Sequence, residues 1–172
     1  MKRLVGLIAL FIGVAPAPLS AFPDGAPWGS ADPEGAQSCA SCHYAEDAVL
    51  NSDAILAGGG LPSEIERGKT YSLSLSLVHT DYATIGFLIA ASHGTFLSAN
   101  DDKIDVLDNM ARSTKPKGAG NETIYWPLAW VAPLDLNAGE IVTFNIAINA
   151  SNDDASPFGD VIHYRKIQVT AK

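Results

Sequence analysis

Cys39-Ala40-Ser41-Cys42-His43 sets two thiols at i and i+3 directly before an imidazole. C-x-x-C-H is the attachment pattern of a c-type haem. Two thiols at this spacing can add across the two vinyl groups on one edge of a porphyrin, forming thioethers. His43 then offers a ring nitrogen to the iron as proximal ligand. Cys39 and Cys42 are the chain's two cysteines, so neither is left for another purpose. Four of the 172 residues are His, so a His directly after a given C-x-x-C arises by chance about one time in forty. The expected cofactor is therefore one covalently attached haem c. On these residues alone, a dithiol or local disulfide followed by an incidental His stays open.

The other side of the iron has four candidates, His79, His93, His163 and Met110. A second His gives a low-potential centre, Met raises the potential, and an open position admits small ligands. His79 continues the register of Tyr71, Leu73, Leu75 and Leu77, so it is the first choice as distal ligand. His163 is the alternative, because the loop after the second strand and the loop before the last strand of a seven-stranded sandwich emerge at one end. Phe158 is then a candidate for packing on the ring. His93 precedes Gly94 in a turn pattern and Met110 lies in a loop or at an edge, so both read as surface residues.

The amino terminus carries an export signal. Lys2 and Arg3 precede an apolar core over residues 4–14, and Pro18-Leu-Ser-Ala21 ends in a small residue suited to cleavage. That core is too short to cross a bilayer, which takes about 20 apolar residues, and no later stretch reaches that length. Residues 1–21 read as a signal peptide, and the mature protein is expected to be soluble and periplasmic or secreted in a bacterium. Without the signal, nine basic residues face nineteen acidic ones, a net charge of −10. Such a surface argues against nucleic acid and against anionic lipid. It suits a basic redox partner, whose identity the residues do not reveal.

Two regions follow the signal. Residues 22–52 are rich in Pro, Gly, Ala and Ser and hold the motif, with a possible short helix over 44–50. Residues 53–172 change to short alternating strands bounded by turn residues. Strands are predicted over 71–79, 84–91, 104–107, 123–130, 141–149 and 161–170. Residues 112–122 read as an exposed loop and 149–160 as a polar, solvated one. Allowing one more short strand, about seven strands make an all-β, immunoglobulin-like β-sandwich preceded by an irregular haem-attachment segment. A short Pro/Gly-rich segment cannot bury a haem by itself, so the group must lean on the sandwich. Trp28, Trp126 and Trp130 read as packing residues. Asn149-Ala-Ser-Asn-Asp-Asp154 lacks the spacing and glycine of an EF-hand loop, and no nucleophile–base order or phosphate loop marks a hydrolase.

Several short stretches together resemble the bacterial Reeler-like exported proteins. They are Phe22-Pro-Asp-Gly-Ala-Pro-Trp-Gly29, the run from Gly35 to His43, Gly60-Leu-Pro62, Arg67-Gly-Lys-Thr-Tyr71, Gly86-Phe87, Trp130-Val-Ala-Pro133 and Gly159-Asp160. The resemblance implies an immunoglobulin-like sandwich in an exported protein, preceded by a haem c segment. It gives architecture more than reaction. Relatives often carry a His ahead of the W-x-A-P strand, where this chain reads Met110-Ala-Arg-Ser-Thr114, so the resemblance supplies no distal ligand there. The surface anchor that many relatives carry at the carboxy terminus is expected to be missing.

The resulting expectation is an exported monohaem cytochrome-like protein that transfers electrons. Two other readings are an extracellular binding module with an immunoglobulin-like fold, and a haem sensor or peroxidase-like enzyme with an open iron position.

Overall fold

The computed structural model describes residues 25–43, 48–58, 61–78, 82–97, 101–118, 123–154 and 156–172. The expected signal peptide, residues 1–21, and His79, the first choice as distal ligand, lie outside them. Among the described residues the strands are β1 Ile55–Gly58, β2 Glu64–Ile65, β3 Thr70–Leu77, β4 Thr84–Ala91, β5 Thr95–Leu97 and β6 Ile104–Leu107. They continue as β7 Met110–Ser113, β8 Lys117–Gly118, β9 Ile124–Val131, β10 Ile141–Ser151 and β11 Val161–Ala171.

The strands form two packed sheets. The smaller has the order β1-β3-β9-β5, and the larger β2-β11-β10-β4-β7-β6, with β8 also beside β4. All pairings are antiparallel except β2 with β11. Period-two alternation drives this arrangement, because successive side chains of a strand point to opposite faces. Tyr71, Leu73, Leu75 and Leu77 of β3 meet Ile124, Trp126, Leu128 and Trp130 of β9 on one inner face. Ile85, Phe87 and Ile89 of β4 and Val142, Phe144, Ile146 and Ile148 of β10 supply the other, and all of these are buried. Each such aliphatic or Phe side chain is worth roughly 1.5–3 kcal/mol of burial. Two ring pairs fasten the sheets together, Phe87 on Trp126 and Trp130 edge-on to Phe144, both with centroids 5.0 Å apart.

The β-sandwich matches the fold expected from the alternation, while several details differ. Among the described residues eleven strands stand where about seven were expected, because short pieces too brief for a periodic signal join the ladders. Residues 112–122 are not simply a loop: β7 and β8 both pair with β4, and the buried Ser113 Oγ accepts from Phe87 N–H at 3.0 Å. The helix expected over 44–50 falls partly outside the described residues, and within them Val49 forms a parallel bridge to His163. The turn at His93-Gly94 is borne out. Gly94 has φ +82°, and a Cβ there would lie 2.5 Å from the Val131 carbonyl oxygen and 2.6 Å from the Trp130 ring.

Candidate functional site

The larger sheet is apolar on its outer face as well. In one register row across four strands stand Arg112, Leu88, Ala147 and Tyr164, each opposite the next. The following row is Gly86, Asn149 and Ile162. Outward-facing Leu88, Ala147, Ile162 and Tyr164 are nonetheless buried, because the amino-terminal segment covers them. Ala26, Trp28, Ala31, Cys39, Ala40 and Ala48 pack against this face. Small side chains let the covering backbone come close to the sheet. Arg112 holds one end of the cover: its guanidinium stacks 4.2 Å from the Trp28 ring centroid and donates to the Ala26 carbonyl at 2.6 Å. At the other end Ala40 N–H donates to the Tyr164 hydroxyl at 3.1 Å.

The motif itself forms a single 3-10 turn, Cys39–Ser41. Cys42 and His43 N–H both donate to the Cys39 carbonyl at 3.2 Å, and Ser38 N–H donates to Ser41 Oγ at 3.2 Å. Three residues per turn bring i and i+3 over one another, which is the spacing of the two thiols. No disulfide joins the two cysteines, and Cys39 is half-buried while Cys42 is exposed. Cys39 Sγ donates to the Ser30 carbonyl at 3.4 Å. Burial pushes its pKa above the ordinary thiol value, against a smaller opposing effect of the Ser30 hydrogen bond. Burial likewise raises the Tyr164 phenol, partly offset by the Ala40 N–H.

His43 turns toward the end of the β10–β11 ladder. Its Nδ1 lies 2.6 Å from Asp160 Oδ2, and Asp160 is only 2% exposed. Asn149 closes the group, its side-chain amide 3.2 Å from the same Asp160 oxygen and 3.3 Å from His43 Nδ1. A carboxylate accepts only, so a neutral ring in this contact carries its proton on Nδ1 and its lone pair on Nε2. Asp160 Oδ1 and Asn149 Oδ1 are buried without a hydrogen-bond partner. Apolar side chains adjoin this corner beside the polar loop of Asn152, Asp153 and Asp154. Val49, Leu50 and Phe158 are among the exposed large hydrophobics; Val49 N–H donates to the Ile162 carbonyl, and Phe158 stands two residues before Asp160.

The sequence-predicted site residues are therefore distributed unevenly. Cys39, Cys42 and His43 share one turn on the outer face. His163 does not join them: it pairs with Ile148, whose side chain points inward, while the adjacent pair Asn149 and Ile162 faces the motif. Its Nδ1 is 2.9 Å from Ser52 Oγ, and burial lowers its pKa from the ordinary imidazole value. His93 is surface-exposed beside Glu140 at 3.4 Å. Met110 lies on β7 rather than in a loop, opposite Ala90. Sequence reading sets Asn149 where the 141–149 strand meets the 149–160 loop and Asp160 at that loop's end; β10 runs on to Ser151, and Asp160 is buried beneath the motif histidine rather than solvated.

A haem brings four nitrogen donors of its own and requires from the protein a tether and an axial base. The residues present fit those needs: two thiols in one turn, an imidazole with Nε2 open, a buried acceptor behind it and apolar side chains nearby. Cys39 and Cys42 would hold the group and His43 would bind its iron, supplying one-electron redox chemistry. Among the described residues no three His, Cys, Asp or Glu side chains are grouped as a metal-ion site, and no helix is long and apolar enough to cross a membrane.

No protein-family model matches the chain, and no curated protein matches it. Solved structures similar to it include the sulfur carrier protein SoxY from Chlorobium limicola f thiosulfatophilum, at 11% identity and TM-score 0.40, covering 73% of this chain and 86% of that one. The sporulation control protein Spo0M from Bacillus subtilis is similar at 12% identity and TM-score 0.40, covering 70% and 50%. A cohesin module from a Clostridium perfringens family 33 glycoside hydrolase gives 12% identity and TM-score 0.40, covering 69% and 93%.

Proposed function

We propose that this protein is an exported c-type haem protein whose β-sandwich serves as a platform for one covalently bound haem, and that it transfers electrons. The observation that carries the reading is the state of His43 within C-x-x-C-H: its Nδ1 is taken by a buried carboxylate, so Nε2 is the ring nitrogen left to bind iron. The docking of the segment on the outer sheet face adds support, since it gives a large flat group a rigid backing. The resemblance to Reeler-like exported proteins and the export signal agree with this reading.

The test is expression with cytochrome maturation machinery and export. The mature protein should gain the mass of one haem and give a c-type spectrum in reduced pyridine. A colourless product with both thiols open to alkylation would overturn the reading and leave the binding module. Carbon monoxide binding to the reduced iron without displacement of a ligand would favour the sensor or peroxidase-like reading over electron transfer.

A further inference from the structure

We infer that Asp160, braced by Asn149, is a positioning residue that fixes the iron-binding face of His43 and holds the iron at low potential. The inference rests on the haem reading. A carboxyl group buried from water is costly unless hydrogen bonds compensate it. Here Oδ2 faces the imidazole at 2.6 Å and the Asn149 amide at 3.2 Å, while Oδ1 has no partner. Among the described residues His43 and Asn149 are thus the side chains that compensate this carboxyl group, with His43 the shorter contact. The placement is also built into the backbone. Gly159 has φ +82°, which turns the chain immediately before β11, and a Cβ there would lie 3.0 Å from the Asn152 side-chain nitrogen.

A strong acceptor on Nδ1 does two things to a metal-bound imidazole. It fixes the ring's rotation and tautomer, and it raises the basicity of the nitrogen that holds the metal. A more basic axial nitrogen favours ferric over ferrous iron, so the potential falls. A merely structural Asp160 would stabilise the fold and leave the iron unaffected. The two roles separate by measurement.

The experiment compares holoprotein of the wild type with Asp160→Asn, Asp160→Glu and Asn149→Ala, each checked for covalent haem. Removing the hydrogen-bond partner of a metal-binding His typically costs 10–100-fold in metal affinity, and a loss of that size falling on the ferric state sets the scale here. Asp160→Asn should therefore shift the ferrous–ferric preference by that factor toward ferrous, a rise of roughly 60–120 mV at 59 mV per tenfold. Exchange of the His43 Nδ1 proton, followed by NMR, should speed at least tenfold. Asp160→Glu should recover part of both effects. If Asp160→Asn fails to accumulate, Asn149→Ala keeps the question open to refutation, because it should give a smaller shift in the same direction. Haem-loaded variants with wild-type potential and proton exchange would overturn this inference alone. A wild-type protein without covalent haem would overturn the functional reading, and the inference with it.

Discussion

Leu88→Ala measures whether the motif segment is part of the fold or only attached to it. Leu88 points away from the sandwich interior, between Ala147 and Arg112 in register, yet is 1% exposed. Its burial depends on the segment that carries Cys39, Ala40 and Trp28. Truncating a fully buried Leu costs about 2–5 kcal/mol, whereas an outward strand residue in solvent changes stability by about 0.5 kcal/mol or less. About 3 kcal/mol is expected here, because covering backbone and small alanines can settle only partly into the space. For a chain of 150–250 residues that lowers Tm by roughly 6–12 °C. Urea unfolding followed by the fluorescence of buried Trp126 and Trp130 reads the change, with the exposed Tyr125→Ala as control. In protein without haem, the variant should also label faster at Cys39, as the cover loosens. A loss under about 1 kcal/mol, with Cys39 labelling unchanged, would refute the docking of the segment on this face.

Three other outcomes follow from the same contacts. Arg112→Ala removes the Trp28 stack and the Ala26 hydrogen bond and should cost about 1–2 kcal/mol; Arg112→Lys should restore little of it, and full rescue by Lys would show that charge alone matters. In protein without haem, Cys42 should alkylate before Cys39 at neutral pH, since burial raises the Cys39 pKa and keeps it as the thiol. Raising the pH well above the ordinary thiol value should narrow that gap, and equal rates at neutral pH would contradict the burial of Cys39. Burial lowers the His163 pKa, so between that value and about 6.5 the unfolded chain holds a proton that the folded chain does not. Its contribution is therefore complete above about pH 6.5 and is lost as the pH falls, with a slope of at most about 1.4 kcal/mol per pH unit. His163→Gln should flatten this part of the stability curve, and an unchanged slope would exclude His163 as its source.

The sandwich was legible because β3 and β9 alternate along their length and β10 alternates from Val142 to Ile146. Tyr71, Leu73, Leu75 and Leu77 announce one buried face, as do Val142, Phe144, Ile146 and Ile148. The motif was legible by residue type and spacing alone. The second buried face was also written in the sequence, in a less obvious form. Phe87-Leu-Ile-Ala-Ala91 and Ile146-Ala-Ile148 are apolar at every position, which is the pattern of strands covered on both sides. Reading them as ordinary half-buried strands left no place for the motif segment to dock. β7 and β8 carry no readable period, because they are four and two residues long and contain Arg112 and Lys117.

Asn149 and Asp160 were illegible for a different reason. Their partner His43 lies 106 and 117 residues away, and polar residues beside Ser, Asn, Asp and Gly look like any solvated loop. What distinguishes them is topology. The β10–β11 hairpin returns Asp160 to the same end as Asn149, and the segment laid across the outer face delivers His43 to that end. The site is thus assembled by three long-range facts that no local window contains: the hairpin register, the apolar row under the segment, and the length of the segment between Trp28 and His43. The row of Arg112, Leu88, Ala147 and Tyr164 fixes the segment laterally, and the carboxylate fixes the imidazole at its end. Loosening the row should therefore disturb His43 through its anchorage, whereas altering Asp160 should disturb it through its proton, and the two effects are separable because only the first also exposes Cys39.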